Sequence, residues 1–144
     1  MSSPEVRQSI NGAVAAASPI PVYDLSDYLT LDEVLGSISS KAVLVQYVTS
    51  GERFASVGSP GTAGWEEDGI VVLHYVVPSG FGSTTDLNDA DAIRLALRGQ
   101  RLSPNVTIES VEPFTDFGGD ATGLYGAAYK GYASNLYYVN RTCG

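Results

Sequence analysis

This sequence contains few of the residues from which enzyme centres are usually assembled. It has one histidine, His74, and one cysteine, Cys143. A single cysteine excludes an intrachain disulfide framework and every multi-cysteine zinc site. Lying one residue from the end of the chain, Cys143 reads as an exposed thiol on a loose terminus in a reducing cytoplasm. His74 stands in the middle of an apolar run, whereas catalytic groups gather at strand ends and loops. A Ser-His-Asp arrangement would have to use it, so nucleophilic catalysis lacks an obvious base. Positive charge is scarce too, with 8 Lys and Arg against 16 Asp and Glu, a net charge of −8 and a pI near 4.4. Such a chain repels phosphate backbones, which argues against a basic nucleic-acid groove. No stretch approaches the roughly 20 apolar residues that cross a bilayer. The N-terminal AVAAAS is short and Glu5 stands where a secretory signal carries positive charge, so it reads as a helix of the mature chain. The N-x-T triplets at Asn105 and Asn140 then carry no glycosylation meaning.

What remains is ample for one core: 144 residues, 44% of them apolar, with only 17% charged. A single domain over residues 1–144 is expected. Ser3 and Pro4 start a helix whose stripe is Val6, Ile10, Val14 and Ala17, and Pro19 and Pro21 stop it. Thr30 and Glu33 have capping-box spacing, which predicts a short helix from Leu31 to about Leu35. Ala42–Val48 and Ile70–Val77 are β-rich runs, the second nearly all apolar as if covered on both faces. They predict a long hairpin with Gly58 to Asp68 at its tip. A helix from about Asp86 to Arg98 follows, with Asp86 in its first turn, Ile93, Ala96 and Leu97 inward and Gly99 closing it. Strands are predicted at Val106–Val111 and Leu124–Val139, the last carrying Tyr125, Tyr129, Tyr132, Tyr137 and Tyr138 on both faces. The expected fold is therefore α+β: a mostly antiparallel sheet of about four main strands with two main helices on one face, in the order α-(short α)-β-β-α-β-β.

Chemistry is sparse along this path. WEEDG (Trp65 to Gly69) and DLNDAD (Asp86 to Asp91) offer paired carboxylates, but at a turn and a helix start they read as solvated, the opposite of a general acid in an apolar pocket. DLNDAD lacks the glycine and distal Glu of a calcium loop. GFG and GSPGTAG spell neither a P-loop nor a dinucleotide fingerprint. The sequence thus reads as a non-enzyme, with no catalytic residue, metal or cofactor assigned.

From Glu52 to Gly99 the order of motifs resembles the tail terminator proteins of long-tailed bacteriophages. ERFASVGSPGTAGW is followed by Gly69 opening a strand that ends VVPSGFG, and then by the helix DADAIRLALRG. The N-terminal helix leading into PIPVYD and the final strand pair fit the same layout, while Leu25 to Ser40 is longer than the pattern. The resemblance implies a structural virion subunit at the head–tail junction, assembled in the host cytoplasm. It implies a homohexameric ring that caps the tail tube, ends its elongation and offers a joining surface to the head connector. DNA would pass through the central hole without specific binding.

A ring needs two different sticky patches per subunit. Aromatic side chains tend to carry interface energy, and the candidates for subunit or tube contacts are Arg53, Phe54, Trp65, Pro78, Phe81, Tyr129 and Tyr137. Phe54 and Trp65 fit equally well into the chain's own core, and the tyrosines fit an ordinary sheet. Glu66, Glu67 and Asp68 are candidates for an acidic lumen or surface. Two alternatives stay open: another head–tail connector or tail-tube subunit, and a small-molecule-binding domain or hydrolase using the WEEDG or DLNDAD carboxylates.

Overall fold

The computed structural model describes residues 4–25, 41–56, 64–78, 84–102, 105–116 and 129–143. Helix α1 spans Pro4–Ala17 and buries Val6, Ile10 and Val14 completely, one turn apart each time. Val14 carbonyl accepts from Ser18 N–H at 3.0 Å, and the Ser18 hydroxyl then bonds the backbone of Ile20, turning the chain out of the helix. Pro19 and Pro21 flank this turn, and strand β1, Val22–Asp24, follows. It pairs in parallel with the start of β2, Ala42–Ser56, which in turn pairs antiparallel with β3, Gly64–Pro78. Helix α2 covers Thr84–Leu97. Gly99 follows at φ 73°, a left-handed conformation that only glycine adopts without strain. Strands β4 (Val106–Val111), β5 (Thr115–Asp116) and β6 (Tyr129–Cys143) complete the chain.

The sheet order is β1-β2-β3-β6-β4, with β5 also on β6. Its centre is the β3–β6 pair, in unbroken register from Gly64↔Cys143 to Pro78↔Tyr129. Fifteen residues at roughly 3.3 Å each make this ribbon about 50 Å long. Side chains alternate between faces, so Val71, Leu73, Tyr75 and Val77 share one face with Val43, Val45, Tyr132, Leu136 and Tyr138. That face meets Val6, Ile10 and Val14 of α1 and Ala90, Ile93 and Leu97 of α2, all in one buried core. The α+β architecture with both helices on one face is as the periodicity predicts. The opposite face, helix-free in that no helix of the described residues lies on it, is divided. At one end Ala42, Leu44, His74 and Val76 are buried, so this part of the apolar run is covered on both sides. Toward Ser50 and Ile70 it opens to solvent.

Several expectations are corrected. Strands β2 and β3 run 15 residues each, well past the predicted Val48 and before the predicted Ile70. Trp65–Gly69 is therefore no turn but the middle of a three-stranded ribbon, paired on one side with β2 and on the other with β6. Glu66 and Glu67 are buried, at 8% and 9% exposure, where solvated carboxylates were expected. Cys143 is not on a loose terminus, since its backbone pairs with Gly64 as the last residue of β6. Asp86 is buried as well, because Lys41 Nζ reaches its carboxylate at 2.5 Å. The sequence reading missed β1 and β5 entirely. The predicted helix at Leu31–Leu35, the Gly58–Gly64 end of the hairpin and the first part of the Leu124–Val139 strand lie wholly or mostly outside the described residues.

Candidate interaction surface

Three polar arrangements hold the edges of the sheet in place. Beneath α1, Asp24 accepts from Arg7 Nη2 at 2.9 Å and from Asn11 Nδ2 at 2.8 Å. Tyr47 donates to Asn11 Oδ1 at 2.6 Å, and the Arg7 guanidinium lies 5.4 Å from its ring centre. Burial, reinforced by nearby Asp24, holds the Tyr47 hydroxyl well above its ordinary pKa. The network ties β1, α1 and β2 together. At the other end of the sheet Lys41 joins the start of β2 to the first turn of α2, its pKa raised chiefly by the hydrogen bond to Asp86. The third arrangement is the hairpin end, where β2, β3 and β6 lie side by side.

At this end the acidic run is split by the pleat. Glu67 lies on the helix face and accepts from Tyr138 Oη at 2.8 Å. Glu66 lies on the helix-free face and meets Arg141 Nε at 3.2 Å. Neighbouring carboxylates on opposite faces of a sheet cannot share a proton or a substrate, so the pair is no general acid–base couple. DLNDAD is dispersed in the same way, with Asp86 on Lys41 and Asp91 on Arg94 Nε at 2.7 Å.

Two grooves lie on the helix-free face. One, of about 490 Å³, opens between Ser50 and Gly51 on β2, Glu66, Asp68 and Ile70 on β3, Tyr137 on β6 and Glu109. The other, of about 400 Å³, is lined by Gln46, His74, Glu112, Thr115 and Asn135 among others. Tyr137 Oη donates to Glu112 Oε1 at 2.7 Å between them. That bond lowers the Glu112 pKa and raises that of Tyr137. In the second groove His74 is buried, and desolvation pushes its pKa down to about 4. Its Nε2–H donates to Gln46 Oε1 at 2.9 Å, an amide and not a carboxylate. Ser134 Oγ donates to the Glu112 carbonyl. His74 thus reads as a strand residue held neutral. Among the described residues no three His, Cys, Asp or Glu side chains are grouped to hold a metal ion.

The predicted contact residues fall at two ends of the ribbon. Arg53 and Phe54 stand opposite Glu66 and Trp65 at the hairpin end, where Trp65 is 37% exposed. Pro78 and Tyr129 pair with each other at the far end. Tyr137 lies on the helix-free face opposite Ile70, and Phe81 is outside the described residues. Trp65 thus stands roughly 43 Å along the ribbon from Pro78, at roughly 3.3 Å per residue, and Tyr137 lies between the two ends. The sequence reading missed Val48, which sits at a register shift in β2 with 54% exposure. A Ser-Gly pair inside a β-rich run is the signal that points to such a bulge.

No protein-family model matches the chain, and no curated protein matches it. Solved structures do. The sheath/tube terminator of an extracellular contractile injection system, PVC, in its extended state superposes with a TM-score of 0.61 at 12% identity, over all of this chain. This chain spans 57% of that protein's length. A second solved chain gives a TM-score of 0.57 at 15% identity and is itself covered over 99% of its length. A protein from the virion of a native gene transfer agent particle aligns at 18% identity with a TM-score of 0.45. The first two likenesses show a shared fold: the entire chain has the architecture found in a sheath/tube terminator.

Proposed function

We propose that this chain is a tail terminator subunit, a structural protein of a virion. Six copies form a ring that caps the tail tube, ends its elongation and presents a joining surface to the head connector. DNA passes through the central hole without being bound. The observation that carries this reading is the whole-chain likeness to a sheath/tube terminator. A long three-stranded ribbon with candidate contact residues at both ends supports it, since a ring between tube and head needs two opposed surfaces.

The test is tube elongation. Tail-tube protein polymerising in the presence of the purified chain gives short tubes, each with a ring at one end in electron micrographs. Trp65→Ala keeps the far-UV spectrum of the parent and lets tubes grow on. Tubes that elongate equally with and without the chain contradict the reading. Incorporation along the whole tube would make it a tube subunit instead.

A further inference from the structure

Among the described residues the outer edge of β2 is covered only at its start. β1 ends opposite Val45, and from Gln46 to Glu52 the strand pairs with β3 alone among the described residues. Gln46, Val48, Gly51 and Glu52 are exposed there. Of the devices that guard natural edge strands, this stretch lacks lysine and proline and carries the register shift at Val48 and the charge of Glu52. Near its far end Gly51, with no side chain, leaves a notch: a Cβ at this position would meet nothing within 4 Å. The notch opens into the groove of about 490 Å³ that Glu66, Asp68 and Glu109 line.

At the opposite edge of the sheet the outermost segment is Gln100–Leu102, held on β4 by Leu102 N–H to Val106 carbonyl and Ile108 N–H to Gln100 carbonyl, both 2.9 Å. Its central residue, Arg101, is exposed and bridges to Thr107. The register carries straight across the sheet: Arg101 is level with Thr107, Thr107 with Val139, Val139 with Asp68, and Asp68 with Gly51. Directly opposed residues share a face, so the cation at one edge and the acidic notch at the other stand at the same height on the same side. Gln100–Leu102 runs antiparallel to β4 and therefore in the direction of β2. A rotation that keeps the strands upright sets it beside β2 in parallel, the sense in which β1 already pairs with that strand.

We propose that Arg101 of one copy of this chain seats over Gly51 in the acidic groove of the next, with Gln100–Leu102 lying along the outer edge of β2. The contact is head to tail, so each copy offers both halves, and repetition closes a ring when the rotation does. A guanidinium is suited to this place because its forked donors match carboxylates. This contact rests on the ring reading and names its interface.

The test measures association of the purified chain, alone and on tail tubes, by native mass spectrometry and sedimentation. Arg101→Glu, which breaks a charge pair at an interface core, and Gly51→Leu, which fills the space the guanidinium needs, each weaken association at least about tenfold, while the melting curve stays that of the parent. Gly51→Leu adds bulk to open space, so it tests the contact without relying on charge. Adding Asp68→Lys to Arg101→Glu restores association. If both single variants associate like the parent, the edge contact is overturned while the ring stands. If the parent chain associates in no condition, with tubes or without, the ring reading and this contact fall together.

Discussion

At the residue scale, His74 shows how burial sets chemistry. The imidazole is 4% exposed between paired strands, and its pKa falls from 6.5 to about 4 because the charged form loses water. A group whose folded pKa lies below its unfolded value makes the unfolded chain the better proton acceptor. Stability is therefore full above about pH 6.5, falls as pH drops toward 4, and flattens below that. The whole shift corresponds to about 3 kcal/mol at roughly 1.4 kcal/mol per pH unit. His74→Gln keeps an amide donor for Gln46 and cannot titrate. Urea midpoints measured from pH 5 to 7 are predicted to slope less in this variant than in the parent. Equal slopes would show that His74 does not titrate as a buried group.

At the element scale, helix placement depends on a few polar clamps over an apolar core. α2 lies on the sheet through Ala90, Ile93 and Leu97, but its first turn is fixed by buried Asp86 against Lys41 at the start of β2. Asp86→Asn preserves shape and removes the charge. It is predicted to cost about 1.5–3 kcal/mol, the range for a hydrogen bond to a charged group. The reading is a lowered urea midpoint with an unchanged m-value. A midpoint equal to that of the parent would mean the clamp adds nothing. Both helices and the centres of β2, β3 and β4 were legible in the sequence, because apolar periodicity and β-branched runs report burial directly. The ends of β2 and β3 were not. TSGERFAS and GWEEDG carry turn residues and charges, and each extends as strand because the other, with β6 beyond, supplies partners. Pairing across the sheet overrides local preference there. β1 was invisible for a simpler reason: three residues between prolines and a polar run hold no period.

At the scale of the whole molecule, the candidate surface was legible only in part. The sequence marks aromatic residues, and Trp65 among them is 37% exposed. It does not show that β6 lies between β3 and β4, and the level alignment of Arg101 with Gly51 follows from that order and its register. This chain has one cysteine, one buried histidine and carboxylates dispersed over both faces of a sheet, and the proposed contacts are placed at its edges and ends. The central claim is that these edges build a six-membered ring that caps a tube. The most direct measurement is native mass spectrometry of the purified chain, alone and then with tail tubes, read beside electron micrographs. The account predicts an assembly of six subunits, either free or appearing only at tube ends. A chain that stays monomeric and leaves tubes uncapped would contradict it.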